Sequence, residues 1–275
     1  GVPDGLARRL VATEADGLAS GYRHALRKRS PPLLVALDGT TRRAVERRLF
    51  DDAYKGVTDI VTKYLWPRPA FHATRLAAAQ GVSANQVTWA SLAFVLAALV
   101  LFREGLYLAG LGCAWAMCFL DTVDGKLARV TLASSRFGNA LDHGIDLIHP
   151  PFWYLAWAAA LEDAGFALRD VTVVVVAGYV AGRLQEGLFL WRFGIEMHVW
   201  RRLDSRFRLV TARRNPNLVL LSVGALAGRP ELGFAAVALW TIVAFAFHAA
   251  RVAAALVVGR RPGGVRSWLA EPGGA

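Results

Sequence analysis

Cys113 and Cys118 are the only cysteines in the sequence, and both lie in one apolar run. A disulfide framework is therefore excluded as the source of stability. Charge is scarce as well: Asp, Glu, Lys and Arg make up 19% of the 275 residues, hydrophobic residues 55%, and the mean hydropathy is +0.36. That is too little polar surface for an ordinary soluble enzyme, and several membrane spans are expected. Lysine adds little to the net charge of +11, which comes almost wholly from arginine. No base-reading module accompanies this basic balance, which excludes nucleic acid and leaves anionic headgroups and phosphorylated molecules as partners. Also missing are a Gly-rich nucleotide loop, an evidently activated serine or cysteine, an internal repeat and a signal peptide. The start at Gly1 instead of Met reads as a cleavage scar on a chain trimmed from a longer polypeptide.

The chain that remains divides by pattern. Residues 1–65 are polar and helix-prone, a cytosolic N-terminal segment expected to be the tail of a longer upstream region. In Arg42–Tyr54, Val45, Leu49 and Ala53 recur at helical spacing; Pro31-Pro32 interrupts, and Leu33–Leu37 reads as a short strand. Nothing in residues 1–60 carries a carboxylate constellation or a phosphate loop, so they are expected to be dispensable for chemistry. Residues 66–82 mix Trp66, Phe71 and Leu76 with Arg68, His72 and Arg75, which predicts a juxtamembrane amphipathic helix. Gly81 should end it, and Ser83 should cap the next helix. Six apolar stretches follow, at 84–103, 106–128, 137–160, 171–192, 216–228 and 231–258. They predict an all-α integral membrane fold of six transmembrane helices over residues 83–260, with a cytosolic tail at 261–275. Connections rich in arginine alternate with nearly neutral ones. The positive-inside rule puts the basic connections and both termini in the cytoplasm, in a multi-pass protein of the cell membrane.

The chemistry lies in Asp121–Asp146, DTVDGKLARVTLASSRFGNALDHGID. Asp121, Asp124, Gly125 and Ala128 share one helix face at i, i+3, i+4 and i+7; Gly138, Asp142 and Asp146 form a stripe on the next helix at steps of four. A carboxylate beside hydrocarbon costs several kcal/mol unless compensated. Four of them converging, with few cations nearby, point to divalent metal. All-oxygen ligation favours Mg²⁺ or Mn²⁺, and the carboxylates suffice for two ions. Gly125 and Ala128 leave room for a diphosphate along the helix, and Arg129 is placed to donate to its oxygens. His143 stands off the aspartate stripe, and His149 precedes Pro150-Pro151, a pair read as ending the helix.

These residues match the signature of the CDP-alcohol phosphotransferase family, Asp-x2-Asp-Gly-x2-Ala-Arg-x8-Gly-x3-Asp-x3-Asp, with Asp121, Asp124, Gly125, Ala128, Arg129, Gly138, Asp142 and Asp146 at the fixed positions. The wider resemblance covers residues 66 to 258. It implies a membrane-embedded, metal-dependent transferase that moves a substituted phosphoryl group from a CDP-linked donor to an alcohol and releases CMP. By the same resemblance Asp121 and Asp142 bridge both ions, Asp124 completes one site, and Asp146 contacts the other ion and acts as general base. Gly125, Arg129 and Ser135 would contact the CDP moiety, as would Asn85 and Thr88 in an Asn-x-x-Thr pair; Ala84 stands where the family commonly has proline. A homodimer is expected on the resemblance, and the small residues around Ala156–Ala160 make close helix contact feasible. Arg183, Arg213 and Arg214 suit a phosphorylated acceptor such as an inositol phosphate or glycerol phosphate. Donor identity, CDP-diacylglycerol or a soluble CDP-alcohol, stays open. Two other functions compete: a divalent-cation transporter using the same carboxylates, and a membrane anchor without activity. The absence of any counterpart to the aspartates in the second half argues against transport.

Overall fold

The computed structural model describes residues 22–23, 26–29, 38–133, 135–260 and 264–270; the expected strand at 33–37 lies outside them. Tyr22–Arg23 (β1) pairs antiparallel with Lys28–Arg29 (β2). The other regular elements are helices: α1 (Arg42–Asp52), α2 (Pro67–Ala79), α3 (Ala84–Arg103), α4 (Tyr107–Val130), α5 (Arg136–Asp163), α6 (Arg169–Phe193), α7 (Arg202–Phe207), α8 (Arg214–Leu226) and α9 (Pro230–Val258), with single π and 3₁₀ turns between some of them. Each of the six apolar stretches holds one helix. Three of these, α3, α6 and α9, are long and apolar enough to cross a membrane on those grounds alone. The chain is thus a helical membrane protein. Helices α4 and α5 are as long, at 24 and 28 residues, but carry the aspartates. Helix α8, with 13 residues, is shorter than the roughly 20 residues a bilayer core requires.

Local sequence sets the helix boundaries. Gly81 takes a positive φ of 69° and ends the α2 segment, as expected of a residue without Cβ. Ser83 then closes a capping box on α3: the Gln86 N–H donates to Ser83 Oγ at 3.3 Å, and the Ser83 N–H to Gln86 Oε1 at 2.9 Å. The predicted end of a helix at Pro150-Pro151 is corrected, because α5 runs through both prolines to Asp163. Proline removes the N–H that would bond the carbonyl four residues back, which frees the carbonyls of Asp146 and Leu147. The Tyr179 hydroxyl on α6 lies 3.3 Å from the first and 3.0 Å from the second and donates to them. Tertiary contact supplies what the local rule took away.

The central core joins Phe102, Met117, Trp153, Trp157, Leu221 and Phe234 from five helices. Its indoles are satisfied: Trp153 Nε1 donates to the Val95 carbonyl at 2.9 Å, and Trp157 Nε1 to that of Pro230 at 3.4 Å. Ala156 and Ala158 are buried in this same core, so the small-residue stretch serves packing within the chain. A second cluster seats Phe50 of α1 among Ala70, Val87, Val123 and Leu127. Beyond it Ala53, Val57, Thr58 and Asp59 are buried too. Phe50, Ala53, Val57, Thr58 and Asp59 thus tie the end of residues 1–60 into the packing of the rest of the chain. The other surface is oily: Leu96, Val100, Leu184, Leu188, Trp191 and Leu239 all stand exposed, as helices facing lipid require.

Candidate active site

Helix α3 packs closely against both α4 and α5, whose own backbones stay further apart among the described residues and meet through side chains such as Tyr107 and Trp157. The aspartates meet across the space this leaves. Carboxylate oxygens of Asp121, Asp142 and Asp146 lie within 4.8 Å of one another. Asp124 stands beside this trio, on the α3 side: its Oδ2 accepts the Thr88 hydroxyl at 2.6 Å. Its other oxygen, Oδ1, is buried without a hydrogen-bond partner. A carboxylate oxygen left unpaired at 3% exposure is costly and suits a cation.

Two polar cavities open on either side of the trio. The first, about 130 Å³, is lined by Asn85, Thr88, Asp124, Gly125, Ala128, Arg129, Ser135, Gly138 and Asp142. Every residue assigned to the CDP donor from sequence therefore faces one space. Ser135 also caps α5, its Oγ accepting the Gly138 N–H at 2.9 Å. A Cβ on Gly138 would collide with Asn85 Oδ1 and push that amide aside, so glycine leaves the Asn85 side chain its place at the cavity. Arg129 is aimed by its Nε–H, which donates to the Ala53 carbonyl at 3.0 Å. A separate apolar groove of about 400 Å³ lies further along the α3–α5 seam, between Leu92, Val95, Leu96 and Leu99 on one side and Leu141, Ile145, Ile148 and Phe152 on the other.

The second polar cavity, about 370 Å³, is cationic: Arg27, Arg183, Arg208, Arg213 and Arg214 line it together with Lys55, Asp59, Asp146 and Tyr179. Arg214 reaches furthest into the site, with Nη2 2.5 Å from Asp121 Oδ2 and Nη1 on Asp146 Oδ1. Arg183 (2.6 Å) and Arg213 both pair with Glu186. His198 also bonds Glu186, with Nε2 3.1 Å from Oε1. Burial drives the His198 pKa down to about 3 despite that carboxylate, so the ring is neutral and serves as an N–H donor. Glu186, His198 and His248 gather closely enough to ligate a metal, but the Glu186 oxygens are already engaged by two arginines and a histidine. Arg208 is the opposite case. It is 7% exposed, and neither Nε nor Nη1 has a hydrogen-bond partner. Burial and the Arg213 charge lower its pKa to about 9, which leaves it cationic at neutral pH.

Sequence reasoning missed Lys55, Asp59, Tyr179, Glu186 and Arg208. Asp59 illustrates the reason. Burial opposes its charge, yet Arg208 and hydrogen bonds hold its pKa below the usual carboxylate value. Those bonds come from the Thr62 N–H at 2.9 Å and from Asn215 Nδ2 at 3.0 Å. Asn215 lies far along the chain, and no local pattern announces such a pairing. His143, which sequence left off the stripe, borders both polar cavities. His149 borders the apolar groove, its Nδ1 2.6 Å from the Ile145 carbonyl.

The donor set fits hard divalent ions: carboxylates only, one of them with an orphaned oxygen, and an arginine as the sole cation bridging two of them. A family model for CDP-alcohol phosphatidyltransferases matches residues 82–257. The chain belongs to that family. A relative from Rubrobacter xylanophilus, named bifunctional IPC transferase and DIPP synthase, is 31% identical over 152 residues. That stretch is 54% of this chain and 32% of the relative, so the chain matches about a third of that protein's length. Membership of the CDP-alcohol phosphatidyltransferases supports the general reaction, transfer from a CDP-linked donor to an alcohol within lipid biosynthesis. It sets aside the cation transporter and the inactive anchor.

Proposed function

We propose that the chain transfers a phosphatidyl group from CDP-diacylglycerol to a phosphorylated alcohol, releasing CMP. The observation that carries this reading is the pair of polar cavities that meet at Lys55 and His143, one bordered by Asp124 and Asp142 and neighbouring an apolar groove, the other bordered by Asp146 and lined by arginine. A nucleotide head in the first cavity would lie beside Asn85, Thr88, Gly125, Ala128, Arg129, Ser135 and Gly138. Its acyl chains would follow Leu92 to Leu99 along α3, an arrangement that suits a lipid-linked donor better than a soluble CDP-alcohol. In the second cavity the unpaired donors of Arg208, with Arg183, Arg213 and Arg214, supply the bidentate geometry that phosphate favours. Inositol phosphate and glycerol phosphate are the acceptors to try first.

Asp121, Asp124, Asp142 and Asp146 would hold two Mg²⁺ or Mn²⁺ ions, which neutralise the diphosphate when bound. Among the chain's own groups, Asp146 borders the arginine cavity and would take the acceptor's hydroxyl proton. Arg129 would steady the diphosphate, and the arginines would fix the acceptor so that its oxygen faces phosphorus in line. The orientation follows from charge. Arg103 pairs with Asp163 at 2.6 Å, on the turns at the end of the bundle away from the aspartates, so the arginine-rich site end and both termini face the cytoplasm. A homodimer remains part of this reading, to be tested by cross-linking in native membranes.

The deciding experiment is CMP release by the purified protein with Mg²⁺. CDP-diacylglycerol would be compared with CDP-glycerol, and each phosphorylated acceptor with its unphosphorylated alcohol. Turnover is expected with the lipid donor and the phosphorylated acceptors. Equal turnover with unphosphorylated alcohols would refute the acceptor assignment, and a preference for CDP-glycerol would refute the donor assignment.

A further inference from the structure

We propose that Lys55 is a substrate contact whose ammonium reaches the phosphoryl group as it passes from donor to acceptor. The proposal rests on the transferase reading above and adds a residue that lies outside the family match. Lys55 and His143 are the two residues that border both polar cavities. A group transferred from one cavity to the other crosses this boundary, and the charge on its non-bridging oxygens crosses with it.

The four lysines of the chain are Lys28, Lys55, Lys63 and Lys126, and three of them are engaged. Lys28 donates to the Asp51 carbonyl at 2.7 Å, while Lys63 and Lys126 lie over the rings of Tyr64 and Tyr54 at 5.5 and 3.9 Å. Lys55 has no hydrogen bond, ion pair or ring contact among the described residues. A lysine serving as a headgroup anchor would extend to an exposed rim, whereas Lys55 is partly buried between two internal cavities. Its backbone is pinned on both sides. Ala53 O accepts from Arg129, the Gly56 N–H donates to Leu26 O at 2.8 Å, and the Ile60 N–H donates to Leu209 O at 2.8 Å. The charged groups around it are Arg27, Arg129 and Lys126, opposed by Asp121, Asp146 and Glu196. Burial and the neighbouring arginines lower its pKa. An anionic phosphoryl group at the boundary would satisfy the amine.

The transfer balances with Lys55 protonated throughout. A lone pair on the acceptor oxygen forms the new bond to the phosphorus that bears the lipid alcohol, and the hydroxyl proton goes to Asp146. The bond from that phosphorus to the bridging oxygen breaks, its electron pair leaving on CMP. Lys55 donates N–H bonds to a non-bridging oxygen, where a fixed positive charge counts most as the phosphorus becomes crowded.

The test uses the full chain, purified with lipid and Mg²⁺, and measures CMP release at varied donor and acceptor concentrations. Lys55→Gln should lower kcat about 100-fold, with donor and acceptor KM within about threefold of wild type. Lys55→Arg, which keeps the charge, should retain about a tenth of wild-type kcat or more. Lys63→Gln is the control and should be unchanged. If the glutamine variant does not fold, Lys55→Met gives the same readout with the stem retained. A kcat near wild type for Lys55→Gln overturns the proposal, and so does a loss confined to the acceptor KM. Wild-type protein that releases no CMP from any donor would instead overturn the transferase reading itself.

Discussion

The two polar cavities meet at Lys55 and His143, with Asp124 and Asp142 on one side and Asp146 on the other, but are built by different means. The cavity proposed for the donor is made of small residues and short-range geometry. Gly125, Ala128 and Gly138 open the space, and Ser83 and Ser135 cap the helices that bear Asn85, Thr88 and Asp142. The cavity proposed for the acceptor is made of long charged side chains brought from distant segments: Arg27 before α1, Arg183 on α6, Arg208 after α7, and Arg213 and Arg214 at the start of α8. Shape does the selecting on one side and charge on the other. A CDP head is common to a whole family of reactions, so a fixed mould serves it.

This contrast can be broken at its centre first. Asp146→Asn should lower turnover by at least about 10²–10⁴-fold while CDP-donor affinity in Mg²⁺ stays largely intact. Asp121→Asn should lose donor affinity as well. Equal loss of donor binding in both variants would make Asp146 a ligand with no separate base role. The acceptor side is broken next by Arg208→Gln. Hydrogen bonds to a charged group contribute about 1.5–3 kcal/mol each, so the KM of a phosphorylated acceptor should rise roughly 10–100-fold with the donor KM unchanged. A matching rise for the donor would dissolve the distinction between the cavities. Thr88→Val sharpens the donor side: removing the hydroxyl that meets Asp124 at 2.6 Å should weaken donor binding about tenfold, with the acceptor KM untouched.

The smallest effect concerns the wall behind the arginines. The pKa of Asp59 is lowered in the fold, so its stabilising contribution is present above the unfolded value of about 3.9 and lost as pH falls through the lower folded value. Asp59→Asn should therefore lower Tm by a few degrees at neutral pH, and the gap from wild type should narrow on acidification. Thermal unfolding followed by tryptophan fluorescence checks both, and a gap that widens in acid would show that Asp59 does not carry a charge in the fold.

How much of this was legible beforehand follows the same division. Asp121, Asp124, Gly125 and Ala128 announce their common face because helix periodicity is local, and the Ser83 cap and the Gly81 stop are likewise readable within a few residues. Six helices on six apolar stretches follow from hydropathy. Arg208, Glu186, Lys55 and Tyr179 were not legible. Their neighbours come from elsewhere in the chain, as when Asn215 meets Asp59, and a single sequence records no such pairing. Even Phe50, which anchors α1 in the second cluster, gave no sign that the segment before residue 60 belongs with the membrane helices.

The proline pair in α5 has a mechanical consequence. A rod of 28 residues that lacks two successive rungs is weakest at that step, and bending concentrates there. Beyond the step, Trp153, Tyr154 and Trp157 are clamped in the core. Before it, the turn bearing Asp146 and Asp142 is held by α3, by Arg214 and, at the two freed carbonyls, by the Tyr179 phenol. Tyr179 also faces the acceptor cavity. The residue that ties these two carbonyls to the neighbouring helix is therefore also one that a molecule in this cavity would touch.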